Sequence, residues 1–459
     1  MRSHSLILIS LTLSLVTAAL TASGDAPMSS GNASRLQYAE SAEARRIYQI
    51  ASPLVFPIQI SASRDSPKLA YGTGFVVRRQ GLIATNFHVI ERAVIEPTRY
   101  KPFVIVDGMK YEAKILDFSI TADLALLKIE RPFERELEIR DELPEVGEKL
   151  FSVGLPEDLS MMITEGNAGG MDRDLLSENI VLSSPLNPGM SGGPSFDYQG
   201  RVRGVNVSIL RKSQNIAFIV PARQLRALVD HLDGNGAIAQ LTSRAAFQIF
   251  DAQIAEASHR AVTEMVQTKA ERRKISGLLA PTPPLGVKCW EYPNSGLMVK
   301  SYQAMKLSLR SMQVCSNSRG IPLDPKLKLG FWSEGYAVFG NGLSLPEKRG
   351  MDHAFEAVPK LMMMDDFFNR VKEDEPDHYS LPRCSNHLIQ NANKIRFRVN
   401  LCVRGYKAFP RLFDVALKAM SLSETGPNAL AIYRMSGISN ADAQQVMSYA
   451  LDTLAWERP

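Results

Sequence analysis

Cysteine is missing from the first 288 residues of this 459-residue chain, and only Cys289, Cys315, Cys384 and Cys402 follow. Neither a CxxC nor an HExxH spacing occurs anywhere. The common zinc and thiol-redox frameworks are thereby excluded, and no metal or cofactor is expected. Beyond the first twenty residues no run is apolar enough to span a bilayer. Charge of one sign is also scarce, with Lys+Arg at 53 against Asp+Glu at 48 and a net charge of +5. The whole excess lies in residues 281–459, which hold 22 basic and 17 acidic side chains. A nucleic-acid-binding domain concentrates its basic residues in a stripe, so nucleic acid is not an expected partner. There is no internal repeat.

What is present is ordinary globular composition, 45% hydrophobic and 22% charged. The length suits two or three domains. Arg2 and His4 precede a largely apolar run from Leu6 to Leu20, and small residues follow at Ala22, Ser23 and Gly24. This is the layout of a secretory signal peptide, placed here at 1–22. The run of about 15 residues is shorter than the ~20 a spanning helix needs, so no stable membrane span is expected after cleavage. Four cysteines in an exported chain imply two disulfides with three possible connectivities. Pairing near neighbours gives Cys289–Cys315 and Cys384–Cys402.

Residues 23–45 begin small and polar and read as a flexible leader. From 46 to 235 short apolar runs alternate with Gly, Pro, Asp and Asn, for example LVFPIQI at 54–60, GLIATN at 81–86 and LALLKI at 124–129. That rhythm suggests an all-β sandwich or barrel. Between Leu241 and Lys274 there is no Pro or Gly. Phe247, Phe250, Ile254, Ala257, Ala261 and Met265 recur there at helical steps. A helical linker is expected over 236–280. Residues 281–459 mix both periods and suggest an α+β domain. Within it, Ile395, Phe397, Val399 and Leu401 mark one face of a strand, and a helix opens near Ser439 or Asn440.

Three segments carry chemistry. GTGFVVRRQGLIATNFHVI at 72–90 places His88 just after an apolar strand. SITADLALLKI at 119–129 puts Asp123 at the start of another, and NPGMSGGP at 187–194 sets Ser191 in a glycine-rich turn. A serine hydroxyl is a weak nucleophile at neutral pH and needs an imidazole to take its proton. That imidazole needs a carboxylate to hold its other nitrogen. Gly189 lets the backbone approach a substrate carbonyl, and its N–H with that of Ser191 would form an oxyanion hole. The specific signal is the order His–Asp–Ser, spaced 35 and then 68 residues apart at strand ends.

At these residues the chain resembles the chymotrypsin-like serine peptidases, in particular the HtrA/DegP branch. Thr85-Asn-Phe-His-Val, Asp123-Leu-Ala-Leu-Leu, Gly189-Met-Ser-Gly-Gly-Pro, Gly204-Val-Asn and Ala217-Phe-Ile-Val-Pro carry the likeness, over about residues 50–230. It implies a double β-barrel of two six-stranded barrels with His88, Asp123 and Ser191 between them. It further implies that Pro185, Leu186, Asn206, Val207 and Ile209 line the primary pocket. None of these is acidic, so a small-to-medium apolar residue ahead of the cut is expected rather than Lys or Arg. There are departures. Met190 stands where digestive members carry an activating Asp, 167–179 is a short loop, and no PDZ pattern follows residue 235.

The resulting expectation is an exported serine endopeptidase, periplasmic or secreted, that acts on polypeptides through an acyl-enzyme. Two alternatives stand beside it. One is a protease-fold binding or sensing protein that hydrolyses little. The other is a protease autoinhibited by its C-terminal domain, a domain with room to bind a protein partner.

Overall fold

The computed structural model describes residues 42–157, 159–207, 215–238, 241–267, 272–292, 309–317, 320–324, 327–340, 379–423 and 425–457. The signal segment at 1–22, the leader up to residue 41 and the pocket residue Ile209 lie outside the described residues. The chain separates into a unit ending at Arg45 and a second from Arg46 onward, and the fold below is that of the second.

The short apolar runs become strands. The first seven are β1 (Val55–Ser61), β2 (Ala70–Arg78), β3 (Leu82–Thr85), β4 (Lys101–Val106), β5 (Met109–Glu112), β6 (Lys114–Ser119) and β7 (Leu124–Lys128). They form one antiparallel sheet in the order β5-β4-β1-β2-β3-β7-β6. The expected count of six becomes seven because Asp107 (φ 50°) and Gly108 (φ 77°) turn the chain back on itself, pairing Val106 with Met109. Two positive φ angles in a two-residue loop are the signature of a tight hairpin turn matched to strand twist.

The second set is β8 (Lys149–Gly154), β9 (Met162–Arg173), β10 (Glu178–Leu182), β11 (Pro194–Phe196), β12 (Val202–Val207) and β13 (Ala217–Pro221). These six close into a barrel in the order β10-β13-β12-β11-β8-β9. With the first set left as an open half-barrel sheet and the second closed, the architecture is that of the expected double-barrel fold. Residues 167–179 are not the expected loop. Strand β9 runs through them to Arg173, and a register shift between Ile180 and Leu182 absorbs the irregularity. Bulged pairing of this kind tolerates the glycines at 169 and 170.

Helix Ser243–Gln267 falls inside the expected helical span and buries Ala246, Phe250, Ile254, Ala257, Val262 and Met265 along one stripe. It does more than connect. A single hydrophobic core joins Phe75 and Ile83 of the first sheet, Phe250 and Ile254 of this helix, and Phe409 and Leu412 beyond it.

The C-terminal region is α+β. A seven-stranded antiparallel sheet runs in the order Lys288–Tyr292, Leu309–Ser316, Trp332–Phe339, Asn428–Ile438, Phe413–Ser421, Arg396–Gly405, Arg383–Gln390. Phe397 and Val399 face Ala450 and Leu451 of helix Asn440–Thr453 in a common core, with Ile395 and Leu401 packed against it. Ser439 caps that helix by accepting the Asp442 N–H. Both expected disulfides are formed, with S–S separations of 2.08 Å for Cys289–Cys315 and 2.01 Å for Cys384–Cys402. Each links residues directly opposite one another on neighbouring strands. Among the described residues, no helix is long and apolar enough to cross a membrane.

Candidate active site

Strand β3 ends at Thr85, and helix Phe87–Ile95 begins two residues later with Asn86 as its N-cap. The Asn86 side chain makes no capping hydrogen bond. Its Nδ2 instead donates to the Asp123 carbonyl at 2.8 Å. The cap comes from across the sheet, where Asp123 Oδ1 accepts the His88 backbone N–H at 2.9 Å. An anion at a helix N-terminus faces the positive end of the helix dipole and satisfies an orphan donor. The other carboxylate oxygen, Oδ2, lies 2.7 Å from His88 Nδ1. One carboxylate thus grips both the backbone and the ring of the same histidine, which holds the imidazole in one orientation and leaves Nε2 as its basic nitrogen.

Asp123 is held tightly in turn. It sits at φ 53°, a left-handed conformation uncommon outside glycine. The hairpin that pairs Ser119 with Leu124, and the Asn86 bond to its carbonyl, keep it there. For His88, burial pulls the imidazole pKa down, while attraction to Asp123, the Asp123 hydrogen bond and Glu91 pull it up. The upward influences win, and the pKa lies above its ordinary 6.5.

Ser191 sits in the second of two successive tight turns. The first closes with Met190 N–H donating to Asn187 O at 3.1 Å, with Pro188 second and Gly189 (φ 94°) third. The second closes with Gly193 N–H donating to Met190 O at 3.1 Å, with Ser191 second and Gly192 (φ 85°) third. Both match type II turns, whose third position requires positive φ. Met190 is wholly buried beneath the turn. An apolar anchor thus occupies the place of the Asp that digestive peptidases carry.

The serine turn is fastened to the first barrel by Thr73 on β2. Thr73 N–H donates to Ser191 O at 2.8 Å, and Thr73 Oγ1 donates to Gly189 O at 2.7 Å. The same hydroxyl accepts the Leu155 N–H at 2.9 Å, and Thr85 Oγ1 donates to the Thr73 carbonyl at 2.8 Å. Thr73 was not singled out from the sequence, although its position between Gly72 and Gly74 was the available signal. A Cβ on Gly192 would lie 2.2 Å from Thr73 O and 2.3 Å from Thr85 Oγ1, and 3.0 Å from Asn86 N. The turn therefore abuts the segment that carries His88. Gly192→Ala combines this overlap with an unfavourable φ and is expected to cost on the order of 2–4 kcal/mol. Urea unfolding of the variant against the parent chain measures it.

The pocket expectations separate. Pro185 is exposed, Leu186 is half-buried against the Leu150, Ile180 and Leu182 cluster of the second barrel, and Val207 is buried. The Asn206 side chain is engaged within the second barrel. It is buried, accepts from Ser195 Oγ at 2.6 Å and donates to Val153 O at 2.9 Å. Its backbone joins the serine turn through Gly192 N–H to Asn206 O (2.9 Å) and Asn206 N–H to Gly193 O (2.8 Å). Asn206 braces the turn.

Residues 72–205 match the family model of the trypsin-like peptidase domain, a stretch that contains His88, Asp123 and Ser191. Among curated proteins, the chain is 32% identical over 180 residues to a protein of Brucella suis named "Probable periplasmic serine endoprotease DegP-like". That match covers 37% of this chain and 34% of the relative. Proteins of the same name from Marinomonas sp. and Chlamydia trachomatis are 28% and 32% identical over 215 and 196 residues. These cover 43% and 40% of this chain and 43% and 38% of the relatives. The chain thus spans well under half the length of the curated relatives it matches. Among solved structures, it is similar to the serine endoprotease from Yersinia pestis, at 23% identity and a TM-score of 0.36 over 42% of this chain and 68% of that one.

Proposed function

We propose that the trypsin-like segment of this chain works as a serine endopeptidase, with Ser191 as nucleophile, His88 as general base and then acid, and Asp123 as orienting carboxylate. The observation that carries this is the two-point grip of Asp123 on His88, beside a serine turn tied to the same barrel through Thr73. His88 Nε2 takes the Ser191 proton as Oγ attacks the scissile carbonyl. The N–H groups of Gly189 and Ser191 stabilise the oxyanion. As the tetrahedral intermediate collapses, His88 returns the proton to the leaving amine. Water then repeats the cycle on the acyl-enzyme.

The substrates are polypeptides. Without an acidic side chain among Pro185, Leu186 and Val207, a small-to-medium apolar residue ahead of the cut is favoured. Substrate would lie extended beside the strand that follows the serine turn. Export to the periplasm or beyond follows from the signal-like N-terminus and from the periplasmic names of the similar proteins.

Labelling by a fluorophosphonate, together with cleavage of an unstructured polypeptide by the full chain, tests this reading. Labelling of the parent but not of Ser191→Ala, with peptide products, is the expected result. A folded parent chain that neither labels nor cleaves, while residues 46–235 alone label, would point to autoinhibition, and silence in both folded proteins would sink the enzyme reading and promote the binding scaffold.

A further inference from the structure

Strand β6 is an edge of the first sheet, and it leads straight into the turn that carries Asp123. The outward backbone groups of an edge strand need partners that no neighbouring strand supplies. Here a side chain supplies two such partners, while the Leu116 carbonyl accepts the Ile238 N–H at 2.9 Å. The Ile120 N–H donates to Gln253 Oε1 at 2.8 Å, and Gln253 Nε2 donates to the Phe118 carbonyl at 2.8 Å. One amide side chain thus stands in for a strand, closing both bonds within five residues of Asp123.

A second contact comes from the same helix face, since residues three apart on a helix are neighbours. The Phe250 ring lies 5.5 Å from Phe87, the residue before His88, and 5.7 Å from Phe118. Phe87 and Phe118 themselves meet at 5.4 Å. Helix Ser243–Gln267 therefore touches both the histidine segment and the aspartate hairpin. Its other contacts reach into the C-terminal region. Arg411 Nε donates to Asp251 Oδ2 at 2.5 Å, His259 Nδ1 lies 2.7 Å from Asp442 Oδ1, and Ser258 Oγ donates to Gly437 O at 3.0 Å.

We propose that Gln253 is a positioning residue for Asp123, through which the C-terminal half of the chain holds the catalytic carboxylate in register with His88. The proposal rests on the reading of Asp123 as the carboxylate that orients His88. Gln253 touches no reacting group and acts through the hairpin. It is uncharged, so its removal alters the field at His88 only by moving Asp123. The charges that act on His88 are Asp123 and Glu91. The other charged pairs nearby are His231–Asp117 farther along β6 and Arg411–Asp251 on the helix, and neither includes residue 253.

The test uses the full chain with Gln253→Met, which keeps the bulk and loses both bonds, and Gln253→Glu, which keeps an acceptor for the Ile120 N–H. Gln253→Met is expected to lower kcat by roughly 10²-fold with KM nearly unchanged, as a displacement of about 1 Å does. Its acid limb in kcat/KM should fall, and the downfield proton NMR signal of the His88–Asp123 hydrogen bond should weaken. Gln253→Glu should recover part of the lost kcat. Parental kcat, acid limb and proton signal in Gln253→Met would overturn the proposal. So would an equal kcat loss in both variants with the limb and the proton unmoved. If Gln253→Met does not fold, Gln253→Glu decides, by a reduced kcat with a weakened proton signal or by parental values of both. The proton signal separates the two readings, because a parent chain without hydrolysis fails the endopeptidase reading while the signal's response to residue 253 still decides this one.

Discussion

Replacing Ser191 by alanine is expected to lower kcat on a polypeptide substrate by on the order of 10⁶-fold, the scale seen when serine peptidases lose their nucleophile. In the proposed mechanism the hydroxyl is the atom that forms the acyl-enzyme, so no other group of the turn would replace it. KM should change little and the fold should survive, because the turn is held by backbone bonds from Thr73, Met190 and Asn206 and by the Thr73 hydroxyl. His88→Ala added to Ser191→Ala should remove almost nothing more, since a base without its nucleophile has no proton to take. Steady-state kinetics on both variants measure the two statements. A loss for Ser191→Ala of less than about 10²-fold would place the nucleophile elsewhere.

Asp123→Asn is expected to lower kcat by about 10⁴-fold. The Asp123 carboxylate accepts from the His88 N–H through one oxygen and lies against His88 Nδ1 through the other. An amide has one acceptor, so its NH₂ would face one of these donors and favour the wrong ring tautomer. The pH profile should move as well. Only the neutral imidazole accepts the Ser191 proton, so activity falls as pH drops through the His88 pKa. In the parent that pKa lies above 6.5, because Asp123 and Glu91 outweigh burial. Without the Asp123 charge, burial dominates and the acid limb of kcat/KM shifts to lower pH. A scan from about pH 5 to about pH 9 measures it. An unmoved limb would show that the carboxylate does not govern His88.

The extent to which the sequence disclosed these features follows their locality. The strands around His88 and Asp123 were legible because one apolar run stops at Asn86 and another begins just after Asp123. The glycine turn was legible because positive φ at 189 and 192 admits few other residues. The helix opening at Ser439 was readable from its cap, and both disulfides from the spacing of four cysteines. The β4–β5 hairpin carries its signal in Asp107-Gly108, a pair suited to two positive φ angles. Strand β9 was hidden because Gly169 and Gly170 weaken the apolar pattern that pairing to two neighbours overrides.

What the sequence by itself determined is the chemistry available, since the identities and order of His88, Asp123 and Ser191 depend on local pattern and on turns that glycine alone permits. Tertiary structure decided what holds that chemistry in place. Thr73 ties the serine turn to the first barrel, Asn206 braces the turn, and Gln253 reaches an edge strand 133 residues away in the chain from the backbone group it accepts. An uncharged amide on a helix looks the same in a sequence whether it faces water or completes a sheet edge. Only the packing of distant segments presents it with the two unpaired backbone groups that give it a role.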